Sequence, residues 1–435
     1  MTYFQTLEYI YSQLPMFSRV GADAFRKDLT NTIRLCEFLG DPHKKVKTVH
    51  VAGTNGKGST SHMLAAVFQT AGYKTGLYTS PHLKDFRERI RIDGDMIEEQ
   101  FVVDFINRLK PLVEEIQPSF FEITVAMAFE YFVQHQVDIA IVEVGLGGRF
   151  DSTNIITPEL SIITNIGWDH MSLLGNTLDK IAFEKAGIIK RGVPVVVGEF
   201  QQATAQVFRE KAQEENAPLS FADEKRIASG FNYEGHKLVV EVTKLHSDDK
   251  SYYHLDLPGL YQSHNLLTVL EAVNLLQHKG WRISDDQIKK ALSEVKKLTG
   301  LHGRWETIHE QPAVILDVAH NEDGIKAIAT QLELTTFHHL RIVIGMVKDK
   351  EIDHVLSFLP QTATYYFTRS QIPRALPENE LAEKAALIGL KGRHFPDVNT
   401  ALKSALDQAD KDDLILVCGS LFVVGEVERH VFLKS

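Results

Sequence analysis

Short apolar runs alternate with amphipathic helical segments along the first two hundred residues of the chain. Apolar strands are predicted in V-H-V-A, D-I-A-I-V-E-V, L-S-I-I-T-N-I and V-P-V-V-V. Between them apolar residues recur at helical spacing, as at Met63, Leu64, Val67, Phe68 and Ala71. Near-continuous apolar strands that alternate with helices are typical of a parallel sheet covered on both faces. We therefore predict an α/β fold with a mostly parallel sheet.

Two stretches depart from this alternation. Residues 4–40 predict two helices, the first with an apolar stripe of Phe4, Leu7, Ile10, Tyr11 and Leu14. The second carries Phe25, Leu29, Ile33 and Cys36 at helical spacing. Residues 219–257 contain F-N-Y-E-G-H-K-L-V-V-E-V-T, in which an E-G turn separates two β-prone runs. This pattern indicates a small antiparallel extension.

The strand and helix pattern restarts after residue 298. Strands are predicted in A-V-I-L-D-V, L-R-I-V-I-G-M-V, A-T-Y-Y-F-T and L-I-L-V-C-G, with helices between them. We predict two domains, residues 1–297 and 298–435. The first is of the phosphate-loop ATPase type and the second is a smaller Rossmann-like α/β domain.

Composition narrows the class of protein. The net charge of −10 argues against a nucleic-acid binder, because no broad basic surface is available to neutralise phosphates. Two cysteines are too few for a disulfide framework. No apolar run is long enough for a membrane span, and the first residues lack the basic start and apolar core of a signal peptide. We expect a cytoplasmic monomer that binds small molecules and neither a membrane nor nucleic acid.

The segment from Val49 to Thr60, V-H-V-A-G-T-N-G-K-G-S-T, predicts a phosphate-binding loop. Glycines let backbone N–H groups turn toward an anion, and the following helix adds its positive N-terminus. Lys57 would lie against the β- and γ-phosphates, and Ser59 or Thr60 could reach a Mg²⁺ bound to them. The common eight-residue pattern is not matched, since Val51 replaces its first glycine and Gly58 follows the lysine. The alternative is a glycine turn with a surface lysine.

Polar residues follow several predicted strands, where open parallel sheets bind their ligands. Glu143 is placed to bind or orient Mg²⁺, although a helix cap or a solvated carboxylate is the alternative. A lone histidine such as His170 is usually packed or on the surface, but its neighbours Asp169 and Lys185 favour a functional role. Lys185 lies in partly apolar surroundings, and Mg²⁺ nearby would favour its neutral amine. A neutral amine can add CO₂ to form a carbamate, whereas the alternative is an exposed helix lysine.

Arg304, Asp317 and His320 lie around the predicted start of the second domain. Cationic, anionic and imidazole groups there could complete a nucleotide site. The alternative is structural polarity between domains.

Several blocks of sequence resemble the folylpolyglutamate synthase/dihydrofolate synthase family of Mur-type amide ligases. They are V-A-G-T-N-G-K-G-S, Y-T-S-P-H-L with E-R-I-R-I-D-G, F-F-E-I-T, E-V-G-L-G-G-R-F-D-S-T-N, N-I-G-W-D-H, I-A-F-E-K-A-G-I-I-K, H-G-R-W-E and D-V-A-H-N. The blocks run in order from about Gly21 to Gly425. The departures are mild: Val318, Asp93 and His302 stand where the family often has glycine, asparagine and proline.

The resemblance implies ATP as a substrate, two Mg²⁺ sites and, as a further expectation, a monovalent cation. The implied ATP-binding residues are Thr54, Asn55, Gly56, Lys57, Gly58, Ser59, Thr60, Asn265, Arg304 and Asp317. The implied metal ligands are Ser59, Ser80, Glu143, His170 and a carbamylated Lys185. The implied folate-binding residues are Pro81, Ser119, Phe120, Phe121, Glu122, Phe150, Asp151 and Ser152. Lys57, Lys185 and His320 are the implied catalytic residues, with His320 near the incoming glutamate or the phosphates.

The implied reaction joins L-glutamate to a folate carboxylate through an acyl phosphate. A rival is a Mur-type ligase acting on a cell-wall precursor, which would be expected to carry a carrier-nucleotide domain before the phosphate loop. Only 48 residues precede Val49, too few for that domain. A second rival is a nucleotide-binding regulator without ligase chemistry. The pattern leaves open whether dihydropteroate is also a substrate, which folate is preferred and how long the glutamate chain becomes.

Overall fold

A computed structural model describes residues 1–16, 27–247, 249–348 and 352–429. The chain forms two compact units. The first contains Met1–Asp256 and Gln262–Leu301, and the second contains Leu257–Tyr261 and His302–Ser435. No pattern in the sequence predicted that residues 257–261 group with the second unit. The predicted division of functional domains between residues 297 and 298 stays a prediction.

An eight-stranded sheet forms the centre of the first unit, with the strand order β4-β3-β2-β5-β1-β6-β7-β8. The strands are β1 (Thr48–Ala52), β2 (Thr75–Tyr78), β3 (Ile90–Ile92), β4 (Asp95–Met96), β5 (Ile139–Glu143), β6 (Leu160–Ile163), β7 (Val195–Val197) and β8 (Leu219–Phe221). Six strands pair in parallel, in the order β2, β5, β1, β6, β7 and β8. Strands β3 and β4 add an antiparallel hairpin at the edge next to β2. All residues of β1, β5 and β6 are buried, as expected for parallel strands covered on both faces.

Helices cover this sheet. They are α1 (Tyr3–Gln13), α2 (Thr30–Phe38), α3 (Lys57–Thr70), α4 (Glu99–Ile116), α5 (Phe120–Gln134), α6 (Met171–Leu174), α7 (Leu178–Ala186), α8 (Ala205–Glu214), α9 (Gln262–His278), α10 (Asp285–Leu292) and α11 (Val295–Thr299). The predicted stripe of α1 is partly wrong, because Phe4 is 69% exposed while Ile10 is fully buried. In α2 Cys36 is buried but Ile33 is exposed, and Phe25 lies outside the described residues.

The predicted antiparallel extension is confirmed as a three-stranded sheet. It consists of β9 (Arg226–Glu234), β10 (Lys237–Lys244) and β11 (Lys250–Leu255), with β10 in the middle. Glu271 of α9 ties it to the main sheet, because its carboxylate accepts from Ser220 in β8 and from Arg226 in β9. The extension is thereby attached to the same unit as the phosphate loop.

The second unit contains a six-stranded sheet with the order β12-β13-β17-β14-β15-β16. Its strands are β12 (Glu306–Glu310), β13 (Ala313–Leu316), β14 (Leu340–Ile344), β15 (Thr364–Phe367), β16 (Lys391–His394) and β17 (Leu414–Cys418). Its helices are α12 (Glu322–Glu333), α13 (Ile352–Leu356), α14 (Glu378–Leu387), α15 (Val398–Leu406) and α16 (Leu421–Glu426). The four strands predicted from sequence are the four inner ones. Two strands were missed, and they form the two edges of the sheet.

The α/β class and both sheets agree with the predicted fold. Within the described ranges, no helix is long and apolar enough to cross a membrane.

Candidate functional site

The turn between β1 and α3 depends on two glycines with positive φ. Gly53 has φ 143° and Gly56 has φ 83°. A Cβ on Gly53 would lie 1.8 Å from Thr164 Oγ1, and one on Gly56 would lie 2.2 Å from Asn265 Oδ1. Neither position can take a side chain without a shift in its neighbours. The path of this turn therefore depends on glycine at both positions.

Helix α3 begins at Lys57, directly after Gly56 in the left-handed conformation. In the part of the chain that the structure describes, no side chain caps this helix start. The first turn contains no acidic residue. A helix N-terminus carries partial positive charge, so a start without a side-chain cap or an acidic first turn favours an anion.

Two lysines converge on one carbonyl of this turn. Lys57 Nζ donates to Gly53 O at 3.0 Å and to Thr54 O at 3.1 Å. Lys185 Nζ, from the last turn of α7, donates to Gly53 O at 2.8 Å. Burial, and then the nearby charge of Lys57, lowers the pKa of Lys185 from 10.5 to about 7. Lys185 is therefore not the exposed helix lysine that the sequence left open; it is buried beside the turn and holds its proton weakly near neutral pH.

Residues after β6 hold the turn in place. The Thr54 hydroxyl accepts from Gly167 N at 2.9 Å. Asn55 N donates to Asn165 Oδ1 at 2.9 Å, and the Thr164 hydroxyl donates to Asn55 O at 2.5 Å. These contacts give Thr54 and Asn55 a role in shaping the loop. Thr164 and Asn165 were not predicted as site residues, although Asn165 is the first residue of the N-I-G-W-D-H block and Thr164 directly precedes it.

The hydroxyls that follow the lysine are both buried. Ser59 Oγ accepts from Gln262 Nε2 at 3.2 Å, and Asn265 Nδ2 donates to Gln262 Oε1 at 2.8 Å. The structure thus joins Asn265 to the phosphate loop through a residue that the sequence did not indicate. Thr60 Oγ1 is buried and has no hydrogen-bond partner among the described residues.

Glu143 and Ser80 meet at the ends of neighbouring strands. Glu143 ends β5 and is 4% exposed, and its Oε2 accepts from Ser80 N at 3.1 Å. Glu143 pairs in register with Val51 of β1, so its carboxylate lies at the same sheet edge as the phosphate loop. The buried position argues against the solvated carboxylate that the sequence left open.

His170 lies after β6 with a left-handed backbone, φ 50°, at the start of α6. Its backbone N donates to Asp169 Oδ1 at 2.8 Å, and its Nε2 is 3.8 Å from Asp169 Oδ2. The imidazole is only partly buried, so it is neither packed in the core nor fully on the surface.

These groups suit a cation that is shared with phosphates. Across residues 1–16, 27–247, 249–348 and 352–429, no cluster of three or more histidine, cysteine or acidic side chains could hold a metal ion alone. Mg²⁺ typically takes one or two carboxylates and completes its shell with water and phosphate oxygens. The buried Glu143 carboxylate and the Ser59 hydroxyl provide hard oxygen donors of that kind. The residues therefore fit Mg²⁺ that arrives with a nucleotide.

The residues implied for folate binding make local structural contacts. Ser119 and Glu122 form a capping box at the start of α5, and Glu122 Oε2 also accepts from Asn31 Nδ2 at 3.4 Å. Phe120 is buried and Phe121 half-buried, the latter with its ring centroid 6.1 Å from that of Tyr78. Pro81 follows Ser80 through a cis peptide bond.

Asp151 is buried and organises the glycine-rich turn after β5. Its carboxylate accepts from Leu146 N at 2.8 Å and from the Thr153 hydroxyl at 2.5 Å. Burial raises the pKa of Asp151, and these hydrogen bonds oppose that rise. The Phe150 ring lies 4.4 Å below the Arg149 guanidinium, and Ser152 is buried in a 3-10 turn. Folate contact by these side chains stays a prediction.

The second unit holds Arg304, Asp317 and His320. The Asp317 carboxylate accepts from the Tyr261 hydroxyl at 2.6 Å and from Trp305 N at 2.9 Å, and burial raises its pKa. Arg304 donates to Gly303 O at 3.2 Å, and His320 Nδ1 lies 2.9 Å from Val318 O. Within this unit Asp317 fixes the backbone next to Arg304. Nucleotide contact by Arg304 and Asp317 stays a prediction.

Comparisons with known proteins agree along the whole chain. Residues 51–273 match the family model of the Mur ligase middle domain, and residues 303–421 match that of the Mur ligase, glutamate ligase domain. The dihydrofolate synthase/folylpolyglutamate synthase of Bacillus subtilis is 35% identical over 410 residues, covering 92% of this chain and 93% of that protein. The folylpolyglutamate synthase of Lacticaseibacillus casei is 32% identical, with 99% and 98% covered.

Two solved structures resemble the fold closely. The Escherichia coli FolC protein in complex with DHPP and ADP has a TM-score of 0.86 at 29% identity, covering 100% of this chain and 98% of that one. The Mycobacterium tuberculosis folylpolyglutamate synthase complexed with ADP and AMPPCP has a TM-score of 0.86 at 30% identity, with 99% of each chain covered. Sequence and fold together show that this chain belongs to the folylpolyglutamate synthase/dihydrofolate synthase family of the Mur ligases.

Proposed function

We propose that this protein is an ATP-dependent ligase that joins L-glutamate to a carboxylate of a folate. The observation that carries the proposal is the uncapped start of α3, where Lys57 and Lys185 converge on the Gly53 carbonyl. Backbone donors and the Lys57 ammonium at this turn suit a polyphosphate, and the buried Lys185 amine lies beside them. Relatives with the same family membership are named as folylpolyglutamate or dihydrofolate synthases, and two related structures contain ADP.

The proposed reaction has two steps. A folate carboxylate oxygen attacks the γ-phosphorus of ATP, the bond from that phosphorus to the bridging oxygen breaks, and ADP leaves. The glutamate nitrogen then attacks the carbon of the acyl phosphate, the carbon–oxygen bond breaks, and phosphate and a proton leave. Lys57 would balance negative charge on the phosphates in the first step, since its ammonium already lies over the turn.

Two Mg²⁺ sites would be formed by Ser59, Ser80, Glu143, His170 and Lys185. Bound magnesium would supply positive charge that neutralises the phosphate oxygens. Glu143 offers a buried carboxylate, and Ser59 offers a hydroxyl oriented by Gln262. A monovalent cation, a monomeric state and a role for His320 near the glutamate or the phosphates are further parts of the proposal.

An ADP-release assay tests this function. ADP should form only when ATP, Mg²⁺, a folate and L-glutamate are all present. Tetrahydrofolate and dihydropteroate, tested separately, decide whether the enzyme extends folates, makes dihydrofolate or does both. ADP formation that does not depend on the folate or on L-glutamate would instead support a nucleotide-binding regulator. ADP formation that depends on another carboxylate would support a different Mur-type ligase.

We also propose that Lys185 reacts with CO₂ to form a carbamate. A buried amine with a pKa of about 7 is partly neutral at neutral pH, and the neutral amine is the form that adds CO₂. The unfolded chain, with a lysine pKa near 10.5, retains a proton that the native state has lost between pH 7 and 10.5. The free energy of unfolding should therefore rise with pH across that window.

Urea unfolding in CO₂-free buffer at pH 7, 8 and 9 checks this sign. Lys185→Met should show a flatter rise than the wild type, and parallel slopes would refute the low pKa. Addition of ¹³C-bicarbonate to the wild type should then give a carbamate carbon signal that Lys185→Met lacks.

A further inference from the structure

A buried carboxamide in the first turn of α9 contacts the phosphate loop. Gln262 is fully buried, and both ends of its side chain are hydrogen-bonded. Its Nε2 donates to Ser59 Oγ at 3.2 Å, and its Oε1 accepts from Asn265 Nδ2 at 2.8 Å. A buried carboxamide is costly unless its polar atoms are paired, so an apolar side chain would fill the same space at less cost. The polarity of Gln262 therefore serves these two contacts.

The contact restricts what the Ser59 hydroxyl can do. A serine hydroxyl has one hydrogen and two acceptor positions, and it rotates freely unless something holds it. In the first turn of a helix it can also bond to nearby backbone. The Gln262 donor occupies one acceptor position and selects the rotamer in which Oγ faces α9. One acceptor position of Ser59 is then kept for another partner.

The other end of the carboxamide is also fixed. Asn265 lies one helical turn further along α9, and its Oδ1 occupies the space that a Cβ on Gly56 would need. Asn265 thus packs against the glycine of the loop while its Nδ2 orients Gln262. The chain Asn265–Gln262–Ser59 runs from the glycine turn to the first turn of α3 and holds both in one arrangement.

We propose that Gln262 is a positioning residue that orients the Ser59 hydroxyl toward the cation accompanying the nucleotide. This inference rests on the proposed function, because it requires a nucleotide and Mg²⁺ at the loop. In this proposal Gln262 acts on the cation through Ser59, to which it donates, and not by binding the nucleotide itself. Partners of this kind, behind a metal ligand, typically change metal affinity by about 10- to 100-fold when they are removed.

Calorimetric titration with ADP, once with Mg²⁺ and once with EDTA, tests the proposal without measuring turnover. Gln262→Met keeps the length of the side chain and removes both polar ends. Its ADP dissociation constant should rise about 10- to 100-fold with Mg²⁺ and stay unchanged with EDTA. Gln262→Glu, which keeps a polar group of the same shape but loses the donor, should shift in the same direction if the methionine variant does not fold.

Gln277→Met is the matched control. Gln277 lies on the same helix and donates to Ile283 O at 2.7 Å, away from the loop. It should leave both dissociation constants unchanged. In a Ser59→Ala background, Gln262→Met should add no further loss, because the group that it orients is already absent.

The outcomes separate the inference from the proposed function. Equal weakening with Mg²⁺ and with EDTA would overturn the inference and assign Gln262 to the shape of the loop. An unchanged Gln262→Met, or a further loss in the Ser59→Ala background, would also overturn it. A wild-type protein that binds no ADP, or binds it without regard to Mg²⁺, would instead contradict the proposed function.

Discussion

Each unit contains a turn that leads from a parallel strand into a helix, and the N-termini of these two helices are capped differently. In the first unit β1 leads into α3, whose start follows Gly56 and has no side-chain cap within the described residues. In the second unit β13 leads into α12, where Asn321 Oδ1 accepts from Gly324 N at 2.9 Å. Two acidic residues also occupy the first turn of α12. In α12 the cap and the acidic side chains therefore offset the partial positive charge of the helix N-terminus. In α3 no such side chain of the described chain does so, and the N-terminus favours an anionic ligand.

Strand-turn-helix topology therefore does not by itself make an anion site. Both turns lie at the carboxyl ends of parallel strands, where ligands of open α/β sheets usually bind. The residue at the helix start decides whether backbone donors are left for a ligand. Lys57 adds a cation at the uncapped start, while Glu322 and Asp323 add anions at the capped one.

Removal of the Lys57 cation from the uncapped turn should have the strongest effect on activity. Lys57→Ala should lower the rate of ADP formation by on the order of 10²–10³-fold, because it removes the ammonium that lies over the turn. The thermal unfolding temperature should change little, since the helix start itself is retained. An ADP-release assay and circular dichroism on one preparation check both points. Substantial turnover in this variant would contradict the proposal that the Lys57 ammonium stabilises the phosphates at the uncapped turn.

A smaller effect is expected from the glycine turn, and α3 offers its own control. Gly56 and Gly72 stand at opposite ends of α3 with φ of 83° and 90°. A Cβ on Gly56 meets Asn265 Oδ1 at 2.2 Å, whereas a Cβ on Gly72 meets nothing within 4 Å. Each alanine should cost about 1 kcal/mol for the left-handed backbone. Only Gly56→Ala should also weaken ADP binding, by at least about tenfold.

Calorimetric unfolding and ADP titration of the two glycine variants give the answer. Equal loss of ADP affinity in Gly56→Ala and Gly72→Ala would mean that helix stability, and not the path of the turn, controls binding. Unchanged affinity in both would argue against the turn as the nucleotide site.

The smallest effect is expected at the capped turn. Asn321→Ala removes the acceptor for Gly324 N and should lower the free energy of unfolding by about 1 kcal/mol. ADP affinity should stay at the wild-type value, because the Asn321 side chain caps α12 and is not one of the residues proposed to bind ATP. Scanning calorimetry and ADP titration check the two expectations. A variant that binds ADP differently would show that the capped turn also takes part in nucleotide binding.

The inner strands and the glycine loop were readable from the sequence because local patterns report them. Buried strands such as β7 and β17 are continuous apolar runs, and the phosphate loop combines glycines with a lysine before an apolar helix. The edge strands were not readable. β16 is K-G-R-H with all four residues exposed, and β12 is E-T-I-H-E. An edge strand hydrogen-bonds to one neighbour through its backbone and needs no apolar face, so its pattern of apolar and polar residues does not predict a strand.

The candidate site also contains residues that the sequence predicted and supporting contacts that it did not. Lys57, Glu143 and Lys185 were predicted from local context, and the structure brings all three to one edge of the first sheet or to the turn beside it. The contacts that hold these groups were not predictable. Thr164 and Asn165 come from the end of β6, about 110 residues further along the chain than the loop that they hold.

Local sequence patterns were therefore enough to predict the fold class, the positions of the inner strands along the chain and the glycine turn before α3. These follow from the period of apolar residues and from the conformations that only glycine adopts readily. Tertiary structure alone decided that Lys185 is buried beside Gly53 and that Gln262 faces Ser59. Both depend on which distant segments the sheet brings together, and a polar residue shows no sign in its own neighbourhood of the partner that folding will give it.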